Sequence, residues 1–139
     1  MTKEEINLVK QSWKTIRAVN PQLVGDVFYT KLFFDAPGLK PLFTQSIDSQ
    51  SEKLVGMLNI IVARLEYIDL LKKDVQALAL RHKAYGVRPA HYALVGNALL
   101  WTLEKAFGIE WNEPLAKAWL KCYTSLATIM MLAAEEEIR

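Results

Sequence analysis

Three polar side chains stand where apolar ones are expected. His82 shares a helical face with Val75, Leu78 and Ala79, because positions three, four and seven apart fall on one side of a helix. Tyr29 sits in the middle of a segment, Val24 to Phe33, that is apolar almost all round. Gln50 precedes Leu54 by one turn, at the head of an apolar stripe. An imidazole so placed can ligate a metal or exchange a proton, and a phenol or an amide can donate hydrogen bonds. A buried phenol or amide left without a partner costs about 1–3 kcal/mol, so three such groups on three segments suggest convergence on something polar. Each also has a plainer reading: His82 as a satisfied core histidine, Tyr29 with its hydroxyl at the core's edge, Gln50 as an exposed first-turn residue. The second histidine, His91, lies in the first turn after Pro89, where a solvated role is expected.

Several chemistries are excluded. Two histidines and one cysteine are too few ligands for a tetrahedral zinc site. No Ser-His-Asp arrangement has positional support, and no GxxxxGK[ST] or GxGxxG loop is present to cradle phosphate. Cys122 has no partner for an internal disulfide and belongs to no CxxC or CxxCH motif. Seventeen basic and fifteen acidic residues leave a net charge of +2 without a basic block, so nothing calls for a nucleic-acid partner. The apolar runs are far short of the roughly 20 residues of a membrane span. Met1 leads into the polar Thr2-Lys3-Glu4-Glu5 rather than a secretory leader. A soluble protein of the reducing cytoplasm is the expectation.

The elements that must position these residues are all helical. Hydrophobic residues at 52% and charged ones at 23% describe one globular domain over 1–139. Thr2 with Glu5 predicts a capping box, followed by a face of Ile6, Val9, Trp13 and Ile16. Asn20-Pro21 opens a second helix, apolar on nearly every side and so expected to be buried. Pro37 and Pro41 mark a short corner ending at Phe43. A third long helix after Ser46-Ile47-Asp48 is predicted to carry the stripe Leu54, Leu58, Ile61, Leu65 and Ile68. A fourth carries Val75, Leu78 and His82 and ends near Gly86; a fifth begins at Arg88-Pro89 with Tyr92, Val95, Leu99 and Leu103 inward. Asn112-Glu113-Pro114 caps the last, whose stripe is Leu115, Trp119, Cys122, Leu126 and Ile129. No segment alternates as a strand would, so the fold class is all-α.

Five motifs, taken together and in order, resemble the globins, in particular bacterial single-domain globins and the haem domain of flavohaemoglobins. They are VFYTKLF (Val27–Phe33), PGLKPLF (Pro37–Phe43), RHKAYGV (Arg81–Val87), HYALVG (His91–Gly96) and AWLKCY (Ala118–Tyr123). The likeness covers essentially the whole chain and implies a globin fold, with helices packed around a haem pocket. It implies a b-type haem, held non-covalently since no CxxCH is present, with His82 as proximal iron ligand. Tyr29 resembles the distal tyrosine, Gln50 the distal glutamine, and Leu54 the apolar residue one turn later. Phe43 resembles the aromatic that wedges against the haem ring, and Lys53 the basic residue that meets a propionate. Leu78, Val87, Tyr92 and Val95 complete the residues expected at the cofactor. Gly25 is similar to the small residue that lets two helices cross closely, with Ser51 facing it.

There are two departures from the flavohaemoglobin pattern. The corner between Phe43 and Gln50 is shorter, and the position of a glutamate that joins Tyr92 at the proximal histidine holds Ala134, with Glu135 next along. The expected function is tight binding of dioxygen for storage or delivery, with NO and CO as other gaseous ligands. The alternative is nitric oxide dioxygenation with a separate reductase, the flavin and nicotinamide domains having no room in 139 residues. A gas sensor or stress module is the third reading.

Overall fold

Side-chain caps set most of the helix starts. The computed structural model describes residues 1–138, with side chains at all of them but 69, 70 and 136–138. Among these residues there are six α-helices: α1 (Lys3–Arg17), α2 (Pro21–Asp35), α3 (Ile47–Ala63), α4 (Lys72–Ala84), α5 (Pro89–Phe107) and α6 (Glu113–Ile138). At the start of α1 the Glu5 N–H donates to the Thr2 hydroxyl at 3.1 Å, and the Thr2 N–H donates to the Glu5 carboxylate at 2.7 Å. Asn20 caps α2 by accepting from the Gln22 N–H at 2.9 Å, and Ser46 caps α3 by accepting from Ser49 at 3.1 Å. Asn112 does the same for α6, accepting from the Leu115 N–H at 2.9 Å. These contacts satisfy donors that a helix start leaves open. His91 is also a capping residue: its Nδ1 accepts from the Arg88 N–H at 3.0 Å.

Two expectations require correction. The predicted third stripe does not lie on one helix, because α3 stops at Ala63 and residues Leu65–Leu71 form a 3₁₀ segment, kinked at Tyr67. Leu65 is buried and Ile68 packs against the core all the same, since a 3₁₀ turn also brings i and i+3 onto one side. Nor is α2 buried all round. Val24, Gly25, Phe28, Tyr29 and Leu32 are covered, but Leu23 is 60% and Phe34 81% exposed. Only one side of the helix has neighbours, so the remaining apolar residues face solvent.

The apolar interior forms two clusters. The larger joins α1, α2, α3, α5 and α6 around Trp13, Phe28, Leu32, Leu99, Leu103 and Trp119. The smaller packs Val75 and Ala79 of α4, with Leu71, against Met130 and Ala133 of α6. Trp119, 1% exposed, donates its indole N–H to Ser12 at 2.9 Å, and Trp13 donates to Asn59 at 2.6 Å. No described helix is long and apolar enough to cross a membrane.

Two glycines permit close crossings. A Cβ built on Gly25 would lie 1.7 Å from the Ser51 Oγ and 2.2 Å from its Cβ. A Cβ on Gly96 would lie 2.6 Å from the Tyr123 ring. The expected Gly25–Ser51 contact is therefore present, with Ser51 fully buried and its hydroxyl donating to the Ile47 carbonyl at 2.7 Å. Gly25→Ala is expected to destabilise the protein by about 1–3 kcal/mol through overpacking, and Ser51→Gly in the same chain to restore part of the loss. Denaturant midpoints of the single and double variants check this; strictly additive effects would contradict it.

Candidate functional site

The crossing of α2 and α3 brings the first pair of predicted site residues together. Tyr29 stands one turn after Gly25, and Gln50 immediately precedes Ser51. Tyr29 is 5% exposed and its hydroxyl donates to the main-chain carbonyl of Gln50 at 3.4 Å. That distance is long for an O–H···O bond, so the buried donor is only loosely engaged. Contact with Gln50 thus runs through its backbone, while its side chain is half-buried. Phe43 closes on Tyr29 edge-to-face at 5.3 Å between ring centroids, and Phe33 stacks on it at 5.8 Å. In this aromatic surround, burial pushes the Tyr29 hydroxyl up to a pKa of about 12.

His82 lies in the last turn of α4, half-buried. Its Nδ1 is 2.9 Å from the Leu78 carbonyl oxygen. A carbonyl can only accept, so Nδ1 carries the hydrogen and Nε2 keeps its lone pair for an outside partner. Burial holds the imidazole below its ordinary pKa, and Arg81 adds to the effect, while the Leu78 bond opposes both. The neutral form, the one that ligates metals, is favoured. The helix end behind it is fixed by Gly86, at φ +99°, with the Val87 N–H donating to the His82 carbonyl and the Gly86 N–H to Lys83, both at 3.0 Å. This is the Schellman arrangement that a glycine in the left-handed region allows.

The remaining predicted residues have a common character. Phe43 of the corner, Leu54 of α3, Leu78 of α4, Val87 of the α4–α5 turn, and Tyr92 and Val95 of α5 are each half-buried. Phe43, Leu54 and Val95 edge the larger cluster; Leu78 and Tyr92 edge the smaller. Each retains apolar surface that a flat apolar cofactor would cover, worth about 25 cal/mol per Å² removed from water. With a neutral imidazole offering Nε2, the donor set fits an iron porphyrin. No cluster of three His, Cys, Asp or Glu side chains that could hold a bare metal ion occurs among the described residues. Lys53 is exposed and donates to the Gln45 side chain at 2.5 Å. It is not brought into contact with the others.

The surroundings of His82 contain contacts that the motifs do not disclose. Tyr123 donates to the Tyr92 carbonyl at 2.6 Å, and Lys83 reaches across to α6, donating to the Ala134 carbonyl at 3.0 Å. Tyr123 belongs to the AWLKCY motif and Lys83 to RHKAYGV, but a bond to a main-chain carbonyl leaves no residue type by which to find it. Ala134 is half-buried and Glu135 exposed. Cys122 is buried and its thiol is pushed up to about 12 by burial, which leaves it unreactive as a thiolate.

The Tyr29 shift has a consequence for stability. An unfolded phenol ionises near 10, whereas in the fold the group keeps its proton to about 12. Its contribution is complete below pH 10 and is lost as pH rises from there through the folded value. The stability difference between wild type and Tyr29→Phe should therefore narrow by about 1–2 kcal/mol over that window. Denaturant titrations at stepped alkaline pH measure it, and a constant difference would refute it.

A globin family model matches residues 26–130. The flavohemoprotein of Vibrio cholerae is 28% identical over 94% of this chain and 34% of its own length. That of Bordetella pertussis is 31% identical over 75% of this chain and 27% of its own. The chain thus spans about a third of the length of these relatives. Among solved structures, a bacterial globin from Campylobacter jejuni superposes with a TM-score of 0.84 at 26% identity, covering 99% of each chain. An engineered carbene transferase from Rhodothermus marinus gives 0.88 at 22% identity, over 99% of this chain and 96% of that one, a likeness of fold alone. A match over three quarters of the sequence, a shared fold and the order of its helices agree: the chain belongs to the globin family.

Proposed function

We propose that this globin binds one b-type haem non-covalently, with His82 as the ligand of the iron, and holds dioxygen tightly with Tyr29 and Gln50 as hydrogen-bond donors. When bound, the haem would supply a ferrous iron able to take a diatomic gas. His82 presents Nε2 to it in a fixed tautomer, because Nδ1 is committed to the Leu78 carbonyl. Half-buried Phe43, Leu54, Leu78, Val87, Tyr92 and Val95 would line the cofactor, and exposed Lys53 would serve a propionate. The observation that carries the reading of the gas is the Tyr29 hydroxyl. It is buried among aromatic rings and engaged only at 3.4 Å, so it can turn to a ligand oxygen that carries partial negative charge. The Gln50 amide supplies a second, weaker donor, since a first-turn side chain also swings to solvent.

A bond to a charged acceptor is worth about 1.5–3 kcal/mol, and 1.4 kcal/mol is tenfold in an equilibrium. Tyr29→Phe keeps the ring, removes the donor, and is expected to speed dioxygen release roughly ten- to a hundredfold. Stopped-flow dissociation checks this; an unchanged rate would mean that the hydroxyl serves another partner. His82→Ala should abolish the haem spectrum of the purified protein while His91→Ala, whose imidazole caps α5, leaves it intact. The reverse result would overturn the ligand assignment.

Similarity to flavohemoproteins over nearly the whole chain favours a second reading, nitric oxide dioxygenation with electrons from a separate reductase. The same buried donor retains dioxygen long enough to meet nitric oxide. Turnover of nitric oxide to nitrate by the dioxygen-loaded protein, with a generic electron donor, separates the two: sustained catalysis favours the enzyme, a single stoichiometric reaction the carrier.

A further inference from the structure

We infer that the outer face of α2 is a self-association surface, on which a second copy of this chain docks its own α2 in parallel as a short two-stranded coiled coil. The inference concerns the solvent side of the helix and does not depend on a cofactor. Its basis is the spacing of the residues that α2 leaves uncovered. Leu23 is 60%, Val27 36% and Phe34 81% exposed, and Thr30 between them is exposed as well.

Steps of four, three and four residues bring these side chains onto one narrow stripe of a helix. In a heptad they take positions d, a, d and a, the seam of a two-stranded coiled coil. Gly25 and Leu32 take position f, diametrically opposite, and both are buried. The stripe is therefore the outermost line of α2, where a second helix meets no obstacle from the body of α2 itself. The flanks carry charge. Asp26 precedes Val27 at position g and is exposed; Lys31 follows Thr30 at position e and is half-buried.

Those charges decide what fits the stripe. In a parallel pair each g position meets the e position five residues on in the other helix. Asp26 then meets Lys31 of the partner subunit, and the two-fold axis repeats the ion pair on the other side. In an antiparallel pair g would face g and e would face e, setting carboxylate beside carboxylate and ammonium beside ammonium. The face is thus complementary to itself in one direction only. Lys31 is bonded to Asp35 at 3.2 Å, but an ammonium has three donors and takes a second carboxylate without releasing the first. Four seam residues from each copy make a small interface, so the dimer is weak and concentration-dependent. Thr30, the polar residue of the stripe, is its weakest layer.

Sedimentation equilibrium of the purified protein from about 10 μM to about 1 mM is expected to show monomer and dimer in exchange. Phe34→Glu, at a side chain exposed enough to leave the fold intact, should be monomeric throughout, and Thr30→Leu should tighten the dimer. Asp26→Lys and Lys31→Glu should each weaken it roughly threefold or more. The two together should return it towards wild type, which association through apolar surface alone would not do. For direction, Thr30→Cys sets identical thiols face to face across a parallel seam, within reach of a disulfide. Cys122 is buried and does not compete, so mild oxidation should join the two chains. A monomer at the highest concentration overturns the second copy as the occupant of this face. A dimer that survives Phe34→Glu overturns α2 as the surface. A dimer that Phe34→Glu dissolves, but whose Thr30→Cys chains stay separate or whose charge-exchanged variant stays weak, overturns the parallel arrangement.

Discussion

The meeting of Tyr29 and Gln50 depends on one steric constraint, the absence of a side chain at Gly25. With Ser51 so close that a Cβ on Gly25 would overlap its Oγ, α2 and α3 cross nearly backbone to backbone. That contact decides which of their neighbouring residues meet. The residue one turn on in α2 is Tyr29, and the residue before Ser51 in α3 is Gln50, so the phenol meets the first-turn carbonyl of α3. Any larger residue at position 25 would separate the helices and withdraw the hydroxyl along with them. The corner Pro37–Leu42 then returns the chain over the same place and lays Phe43 against the tyrosine ring. A polar atom thus comes to rest inside an aromatic surround, and burial keeps it protonated.

The surroundings of His82 are built on a different principle. His82 belongs to a helix that packs on α6 through small apolar residues, away from the larger cluster. Its precision comes from hydrogen bonds to main-chain carbonyls: Nδ1 to Leu78, the Val87 amide to His82 itself, and Lys83 to Ala134. The Tyr123 bond to the Tyr92 carbonyl extends the pattern to the first turn of α5. Overpacking would disturb the distal side, whereas loss of a single directional bond would disturb the proximal one.

These two principles explain which features are legible in the sequence. Helix starts are legible because caps depend on residue type: Thr2, Asn20 and Asn112 act as the spacing predicts, while α3 begins two residues before the expected place, with Ser46 as its cap. The Gly25–Ser51 contact is legible through the resemblance, and the burial of Tyr29 through the apolar segment around it. The end of α3 is not, since the i, i+3 spacing of Leu65 and Ile68 continues unbroken across the change from α to 3₁₀. The exposed side of α2 is hidden too, because apolarity all round a helix does not say how many neighbours will cover it. Contacts to carbonyls, among them those of Gln50, Ala134 and Tyr92, carry no signature in residue type at the acceptor.

The two halves of the site bear on each other through charge. A phenol donating to a bound gas stabilises negative charge on it, which lengthens residence and, with an electron-rich iron behind it, also assists cleavage of the O–O bond. The electron supply from the proximal side separates holding from cleaving. Here the imidazole is hydrogen-bonded to a neutral carbonyl, its pKa is held low by burial and by Arg81, and the next residue along is a lysine anchored to α6. On the proposed reading, a Tyr29 donor opposed by a weakly donating His82 would favour retention of an intact dioxygen molecule over its reductive activation. Nitric oxide dioxygenation remains compatible with that balance, because it needs a long-lived bound dioxygen to meet nitric oxide and no prior cleavage of the O–O bond. Peroxidase-like chemistry, which does need that cleavage, is the activity that the proposed arrangement would disfavour.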